Sequence, residues 1–272
     1  MQYSVLMSVY WRDRAEYLRA AMDSMWGQTA KTDDFVLICD GPLTDGLNHV
    51  IREMEDRHTG VLHVIRLEKN GGLGKAMNAG IKVCRNEIIA RMDADDISRP
   101  ERCEKQIQIF SRDKEISICS GTVEEFTENT DRIYARRRVP ETDDEIRAFA
   151  KKRNPFNHPC VMYRKSSVES AGGYEDFYLL EDYHLWIRML QQGLKGYNIQ
   201  EPLLWMRVGA EMYRRRAGWK YARSQKALFR YMKDTGFISR GQYMKSVIIR
   251  EIAAMTPNRG REYLYKKIIR ER

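Results

Sequence analysis

The chain has 272 residues and carries 47 Lys and Arg against 38 Asp and Glu, a formal net charge of +9 at pH 7. No apolar run approaches the ~20 residues that a membrane-spanning helix requires, and no basic segment with an apolar stretch precedes the first predicted strand, so we expect no secretory signal. The five cysteines are odd in number and form no CxxC pair. They argue against a disulfide framework or a thiolate zinc site and favour buried, reduced thiols in a cytoplasmic protein.

The first hundred or so residues alternate predicted strands and helices. Strands are predicted at short apolar runs, and helices where apolar residues recur every three or four positions. The predicted strands are Tyr3–Val9, Phe35–Cys39, Leu62–Leu67 and Ile88–Met92, and the predicted helices are Ala15–Trp26, Leu47–Arg57 and one that Asn70–Lys75 opens. This order predicts an α/β fold with a mostly parallel central sheet and helices on both faces.

Four polar features follow the four predicted strands. They are Ser8–Val9–Tyr10, Asp40, the loop around Gly72, and the acidic run Asp93–Asp96. In parallel sheets ligands bind outside the carboxyl ends of the strands, and these ends lie at one edge. We therefore expect the four features to converge on one binding site.

The acidic run Asp93–Ala94–Asp95–Asp96 directly follows the apolar run Ile88–Met92. Carboxylates crowded at the mouth of a buried strand repel one another, and a divalent cation cancels that repulsion. Oxygen ligands of this kind suit Mg²⁺ or Mn²⁺. The alternative is that the acids cap a helix starting near Pro100, with Ser98 as its N-cap.

Two turns after predicted strands are weaker signals. Asp40–Gly41 is a common turn pair, although the acid could accept a hydrogen bond from a base or ribose. The Asn70–Lys75 loop has the glycine spacing of neither a Walker loop nor a dinucleotide fingerprint. It is either a plain strand-to-helix turn or a receptor for a phosphate or ribose at a helix N-terminus.

In order and spacing, these motifs resemble the family 2 glycosyltransferases, which have the GT-A fold. The resemblance runs from about Ser4 to Arg216. The matching segments are Ser8–Tyr10, Asp40–Gly41, Asn70–Asn78, Ala90–Asp96, Asn157–Pro159, Gly172–Tyr174 and Glu181–Trp186. It implies an inverting, metal-dependent transfer of a sugar from a nucleotide-diphosphate donor.

The resemblance also implies a donor site. Asp95 would meet the metal, Mn²⁺ or Mg²⁺, and Asp93 would contact the ribose or reach the metal through water. Asp40 would contact the uracil or ribose, and the backbone of Ser8–Tyr10 would line the base pocket. The residues assigned to the nucleotide sugar are Ser8, Val9, Tyr10, Asp40, Gly72, Lys75, Asn78, Asp93, Ala94 and Asp95.

For the acceptor side, the resemblance assigns Asp182 as the base that takes the proton of the acceptor hydroxyl, with Glu181 shaping the pocket. An acidic pair is also a good helix start, so capping is the alternative. His158 and Trp186 are assigned to the acceptor. For these two residues the alternatives are a satisfied loop histidine and a core tryptophan.

Many members of the family carry a metal-reaching histidine after the last strand of the sheet. The matching stretch here, residues 206–212, contains none. We therefore assign the diphosphate to Arg214 or Arg215, with Arg216 as a further candidate. The alternative is a flexible segment that closes over the donor.

The C-terminal part is strongly basic. Residues 207–272 hold 18 Lys or Arg against 5 Asp or Glu, a net of +13, so the preceding residues sum to −4. From Trp219 onward we expect helices with apolar residues among the basic ones. Such a segment either lies on an anionic membrane or presents ordinary solvated faces. It lacks a nucleic-acid fold signature, so we expect no nucleic-acid partner.

These observations predict a GT-A domain over residues 1–216 and a basic helical extension over 217–272. Residues 1–100 would bind the nucleotide sugar, and residues 101–216 the acceptor. By resemblance, the donor is a UDP-sugar and the acceptor a lipid-linked saccharide in bacterial surface polysaccharide synthesis, at the inner face of the cell membrane. The alternatives are a nucleotidyltransferase acting on sugar phosphates and a non-catalytic basic adaptor.

Overall fold

The computed structural model describes residues 1–209 and 219–255. The strands are β1 Ser4–Val9, β2 Asp34–Cys39, β3 Leu62–Arg66, β4 Ile88–Asp93, β5 Ile97–Ser98, β6 Ile116–Phe126, β7 Ala135–Arg137, β8 Met162–Arg164 and β9 Lys195–Arg207. The helices are α1 Ala15–Trp26, α2 Asp45–Arg57, α3 Leu73–Val83, α4 Arg102–Arg112, α5 Asp143–Ala150, α6 Lys165–Ser170, α7 Glu181–Gln191, α8 Trp219–Asp234 and α9 Arg240–Met255. The predicted elements of the first hundred residues are confirmed, with bounds shifted by at most about three residues.

One sheet organises these residues, in the order β3-β2-β1-β4-β8-β6-β9-β5, with β7 added on β6. The first four strands along the chain pair in parallel, as predicted. The second half is mixed, because β8 runs antiparallel to β4 and β6 while β9 runs parallel to β6. The α/β class with flanking helices is confirmed. The strands that pair in parallel are mainly the four that we predicted from the first hundred residues.

Hydrophobic clusters cover both faces of the sheet. Strands β1, β2 and β4 contribute side chains to both clusters, which explains why each reads as a continuous apolar run rather than an alternating one. One cluster includes buried side chains of α1, α2 and α4, and the other includes those of α3, α7 and α8. All five cysteines are buried and free, as predicted.

The helix after the acidic run starts later than the capping alternative requires. Ser98 lies in β5, where it pairs with Leu204, and the N-cap of α4 is Glu101, without a side-chain capping bond. Four residues, 97–100, therefore separate the last acid, Asp96, from the N-cap position at Glu101. The capping interpretation of Asp93–Asp96 is wrong, because these acids lie at the sheet edge and not at a helix end.

The expected C-terminal helices are present as α8 and α9. On α8, Leu228, Phe229 and Met232 are buried in the same cluster as α7. The ring of Phe229 meets that of Tyr183 edge-on, with 6.5 Å between the centroids. Among residues 1–209 and 219–255, no helix has the length and apolar character that crossing a bilayer requires.

Candidate active site

The carboxyl ends of β1, β2 and β4 meet at one edge, as parallel pairing requires. Ser8 lies in register with Asp93 of β4 on one side and with Ile38 of β2 on the other. The backbone N–H of Asp40 donates to the carbonyl oxygen of Val9 at 2.8 Å. The features predicted to converge from these three strands are therefore neighbours.

The acidic run forms a compact group. Carboxylate oxygens of Asp93, Asp95 and Asp96 all lie within 4.8 Å of one another. Burial and the negative charge of Asp93 raise the pKa of Asp95 to about 6. Burial, followed by the charges of Asp95 and Asp93, raises the pKa of Asp96 well above its usual value. Three converging carboxylates that repel one another fit a hard divalent cation, which would relieve the repulsion.

A buried arginine that sequence reasoning missed lies beneath this group. Arg91 is 1% exposed, and its guanidinium donates two hydrogen bonds to the two oxygens of Asp93, one of them 2.8 Å long. Burial lowers the pKa of Arg91, but the charge and hydrogen bonds of Asp93 outweigh this effect and raise it. Asp93 follows Arg91 by two positions, so both side chains point to the same face of β4. The sequence signal was the two-residue spacing of Arg91 and Asp93, but Arg91 lies within the run that we predicted as an apolar strand.

Arg207, at the end of β9, holds the acidic run from the other side. Its backbone N–H donates to Asp96 Oδ1 at 2.7 Å, and its Nε donates to the carbonyl oxygen of Asp95 at 3.0 Å. Its guanidinium also lies over the rings of Tyr17 and Phe126, at 3.9 and 4.4 Å from their centroids. The last strand is therefore fixed to the acids by a contact that the sequence did not indicate.

Asp40 organises the glycine loop. Its Oδ1 accepts a hydrogen bond from Gly71 N–H at 2.7 Å, and its Oδ2 accepts one from Gly72 N–H at 3.0 Å. The residue is 4% exposed. A carboxylate can accept about four hydrogen bonds, so capacity remains, and the contact with a base or ribose stays a prediction. The direct role in the structure is to fix the loop that precedes α3.

Asn78 is held by both ends of its side-chain amide. Its Nδ2 donates to the carbonyl oxygen of Tyr174 at 2.7 Å, and its Oδ1 accepts from the N–H of Tyr174 at 2.8 Å. Both ends of the amide are thus used to join α3 to the Gly173–Tyr174 turn. The amide retains hydrogen-bonding capacity beyond these two contacts, so the assignment of Asn78 to the nucleotide sugar stays a prediction.

The acidic pair opens α7, and both residues are half-buried. Asp182 accepts hydrogen bonds from Asn154 Nδ2 at 2.6 Å and from the N–H of Tyr183 at 2.7 Å, so its carboxylate is oriented. Burial, then the charge of Asp182, raises the pKa of Glu181 to about 7, while Arg91 acts to lower it. The charge of Arg91 therefore acts on Glu181 as well as on its ion-pair partner Asp93.

The two aromatic residues assigned to the acceptor differ in their surroundings. Trp186 is fully buried, and the ring centroids of Phe156, His158 and Tyr174 all lie within 6.2 Å of its own. It has no open face for a sugar, so the core alternative fits and the acceptor assignment does not. The His158 ring is half-buried, with Nε2 3.0 Å from the Tyr174 hydroxyl, and its acceptor contact stays a prediction.

Among the remaining assigned residues, Lys75 is exposed, and Gly72 is the N-cap of α3 with φ +87°. Such a value is costly for residues other than glycine. Val9 and Ala94 are buried beside the edge. Arg214, Arg215 and Arg216 lie outside the described residues, as do residues 210–212 of the stretch 206–212 that contains no histidine.

Comparisons with known proteins point the same way. A family model for glycosyl transferase family 2 matches residues 4–172. The amylovoran biosynthesis glycosyltransferase AmsE of Erwinia amylovora is 38% identical over 269 residues, which cover 97% of this chain and 98% of that protein. The UDP-Gal:alpha-D-GlcNAc-diphosphoundecaprenol beta-1,3-galactosyltransferase of Escherichia coli is 37% identical over 270 residues, covering 99% of this chain and 97% of that one.

Solved structures show the fold. The mannosyltransferase PcManGT from Pyrobaculum calidifontis, in complex with GDP-Man and Mn²⁺, superposes with a TM-score of 0.67 at 15% identity, covering 94% of this chain and 70% of that one. S. aureus TarS 1-349 in complex with UDP-GlcNAc gives a TM-score of 0.68 at 14% identity, covering 99% and 76%. Both align over nearly all of this chain, and the predicted GT-A fold is confirmed.

Proposed function

Because the chain belongs to glycosyltransferase family 2, it is a sugar-transferring enzyme, and we propose that it moves a sugar from a UDP-sugar to a lipid-linked saccharide with inversion. One observation carries the proposal. The carboxylates of Asp93, Asp95 and Asp96 converge where the parallel strands end, as they would to hold the cation of a nucleotide-diphosphate donor. An inverting transfer also needs a base on the face of the sugar opposite the leaving group, and the oriented carboxylate of Asp182 is our candidate.

The relatives support the class of substrate. The name of the Escherichia coli enzyme gives UDP-Gal as donor and a saccharide on diphosphoundecaprenol as acceptor, and the Erwinia amylovora protein is named for amylovoran biosynthesis. Since this chain covers almost the full length of both, we infer a related role in surface polysaccharide synthesis. Family membership weighs against the two alternatives, a nucleotidyltransferase and a non-catalytic adaptor.

On the donor side, the acids would hold Mn²⁺ or Mg²⁺, with Asp95 as ligand and Asp93 at the ribose or a bound water. The cation would stabilise the negative charge that develops on the departing diphosphate. Arg91 fixes the direction of the Asp93 carboxylate, and Asp40 holds the Gly71–Gly72 backbone against the end of β2. Arg214 or Arg215 remains our proposal for the remaining diphosphate charge.

On the acceptor side, Asp182 removes the proton from the attacking hydroxyl. Its orientation by Asn154 follows the usual pattern of a base held by a neighbouring polar group. Glu181 is a rival for this role, because a pKa of about 7 suits a base that works near neutral pH. We keep Asp182 as the base and Glu181 as the residue that shapes the pocket, and the two assignments are separable by substitution.

The test is a transfer assay with a panel of nucleotide sugars and a diphospholipid-linked saccharide. We expect one UDP-sugar to be consumed with release of UDP, only when both the acceptor and Mn²⁺ or Mg²⁺ are present. NMR of the product should show the anomeric configuration opposite to that of the donor. If the donor is consumed at the same rate without acceptor and in excess chelator, the proposal is contradicted. Retention of the anomeric configuration would refute the inverting mechanism.

A further inference from the structure

The outward side of the pair α8–α9 carries an unusual mixture of exposed side chains. Trp219 is 81% exposed, and Met244 and Ile248 are 54% and 50% exposed. Exposed basic side chains of α8 accompany them, namely Arg223, Lys226 and Arg230. Between residues 219 and 250 the sequence holds eight Lys or Arg and one acid, Asp234.

These residues lie on one side of the helix pair. Lys233 lies over the ring of Tyr243, and Arg250 lies over that of Phe229, so the two helices run antiparallel. The positions facing the protein are Leu228, Phe229 and Met232 on α8, and Ser246 and Val247 on α9. At 100° per residue, the exposed residues on each helix lie about a quarter-turn away from the contact between α8 and α9. They therefore lie on the side of the helix pair that faces solvent. We call Trp219, Arg223, Lys226, Arg230, Met244 and Ile248 the outer face.

A small cavity opens between the two helices at this face. Its volume is about 130 Å³, and its lining includes Trp219, Arg223, Lys226, Phe229 and Arg250. Arg250 borders it from a fixed position, since its guanidinium donates to the carbonyl oxygen of Lys152 at 2.7 Å. A water molecule occupies about 30 Å³ of liquid, so the cavity has room for a phosphate group and is too small for a nucleotide sugar.

We propose that the outer face docks the enzyme on an anionic phospholipid bilayer, with a lipid phosphate group at the cavity and Trp219, Met244 and Ile248 in the interfacial region. Charge complementarity supports this occupant, because basic residues are attracted to the negative surface of the inner leaflet. The exposed apolar side chains favour a bilayer over a nucleic acid, whose backbone offers charge alone. The inference extends the proposed function, since a lipid-linked acceptor lies at such a surface.

Vesicle co-sedimentation of the full chain tests the proposal. We expect binding to phosphatidylcholine vesicles that contain phosphatidylglycerol, no binding to pure phosphatidylcholine, and weaker binding as salt rises. The pair Arg223→Glu with Lys226→Glu should lower the partition coefficient at least about tenfold. Met244→Ser with Ile248→Ser should weaken the part of the binding that persists at high salt.

The matched control reverses two exposed charges on α2, Arg52→Glu with Arg57→Glu. This helix packs in the cluster on the opposite face of the sheet, so the net charge changes equally while the outer face is untouched. The control should bind vesicles as the parent does. An equal loss in the control, or a parent that ignores anionic vesicles at low salt, overturns the proposal. The proposal is also overturned if the parent binds duplex DNA more tightly than vesicles and the double variant Arg223→Glu with Lys226→Glu, the α8 pair, abolishes that binding.

A transfer assay with a water-soluble acceptor analogue separates docking from catalysis. The α8 pair should turn over this acceptor at the parental rate, since none of its residues belongs to the active site. A loss of turnover that parallels the loss of vesicle binding would overturn the docking role. A parent that binds anionic vesicles but transfers no sugar would refute the proposed function and leave the docking surface standing.

Discussion

At the scale of single residues, the candidate site is a group of like charges with one buried counter-ion, Arg91. This arginine pairs with Asp93, and its charge also acts on the pKa of Glu181 at the start of α7. An arginine suits this position because its planar guanidinium donates in fixed directions and stays charged when buried. Among the described residues, the carboxylates of Asp95 and Asp96 have no side-chain ion pair like that of Asp93. Desolvation and mutual repulsion therefore raise their pKa values.

Asp95→Asn should abolish transfer and the joint binding of nucleotide and Mn²⁺. Losing one carboxylate of the group should cost about 3 kcal/mol or more of leaving-group stabilisation. The fold should persist and even gain stability, because one charge that repels Asp93 and Asp96 is removed. Isothermal titration and thermal unfolding measure the two effects, with Asp56→Asn on the exposed side of α2 as control. Normal turnover of the variant, or of the parent in excess chelator, would show the metal assignment to be wrong.

Asp182→Asn should bind the donor normally and lose transfer by roughly 10² to 10⁴-fold, the usual contribution of a general base. Glu181→Gln is the matched variant, and we expect it to weaken the acceptor KM more than the rate. Donor affinity, kcat and acceptor KM are measured for both. A dead Glu181→Gln beside a fully active Asp182→Asn would move the base to Glu181.

The stability of the protein should report the raised pKa of Glu181. Burial and Asp182 lift this pKa from 4.5 to about 7, so the protonated form fits the fold better than the ionised one. The stabilisation is complete below pH 4.5 and lost as the pH rises through about 7. Relative to Glu181→Gln, the parent should lose up to about 3 kcal/mol of unfolding free energy over this range. Urea unfolding at a series of pH values measures it. A difference that does not change with pH would contradict the assignment.

At the scale of elements, the glycine loop before α3, residues 70–72, is held by a close approach of two backbones. Gly41 has φ +87°, and a Cβ there would lie 2.6 Å from the backbone nitrogen of Asn70. That approach allows Asp40 to accept hydrogen bonds from Gly71 and Gly72. The turn after β2 and the start of α3 therefore behave as one unit, which a side chain at Gly41 would separate.

Gly41→Ala should cost about 1–3 kcal/mol of stability and weaken donor affinity, because the loop must shift. Gly60→Ala is the matched control, since Gly60 has φ +83° and open space around its Cβ position. The control should cost only the backbone strain, about 1 kcal/mol, with donor affinity unchanged. Urea unfolding and the donor KM measure both variants. Equal losses of stability together with equal donor affinity would contradict this role of the loop.

At the scale of the whole molecule, the C-terminal helix pair is part of the core as well as a surface. Leu228, Phe229 and Met232 are buried in the cluster that contains α7, the helix of the acidic pair. Removing the residues after 216 would expose this cluster, so the docking role is better tested by point substitutions than by truncation. The division of the chain at residue 216 stays a prediction, since it falls between the described ranges.

Phe229→Ala should lower the free energy of unfolding by about 3–5 kcal/mol, the usual cost of truncating a buried aromatic side chain. Trp219→Ala, on the same helix but 81% exposed, should cost little. Chemical unfolding followed by tryptophan fluorescence and by circular dichroism measures both. If Phe229→Ala is as stable as the parent, α8 does not contribute to the core of the transferase.

The sequence by itself determined the first half of the fold and the edge at which the site lies. Strand and helix periods are local properties, and parallel β-α-β order sends the ends of β1, β2 and β4 to one edge. The acids at 93, 95 and 96 are adjacent in the chain, so their grouping needed no tertiary information. The motif spacing also carried the family and the reaction class.

Only the tertiary structure decided which partners those residues meet. Arg207 reaches Asp96 across 111 positions, and Asn78 joins Tyr174 across 96. The burial of Trp186 and the placement of α8 depend on shorter but still non-local ring contacts, with Tyr174 in the first case and between Tyr183 and Phe229 in the second. The periodicity of apolar residues along the sequence predicts the face of a helix or strand on which a residue lies. Its burial, hydrogen bonds and pKa depend on what the rest of the chain packs against that face.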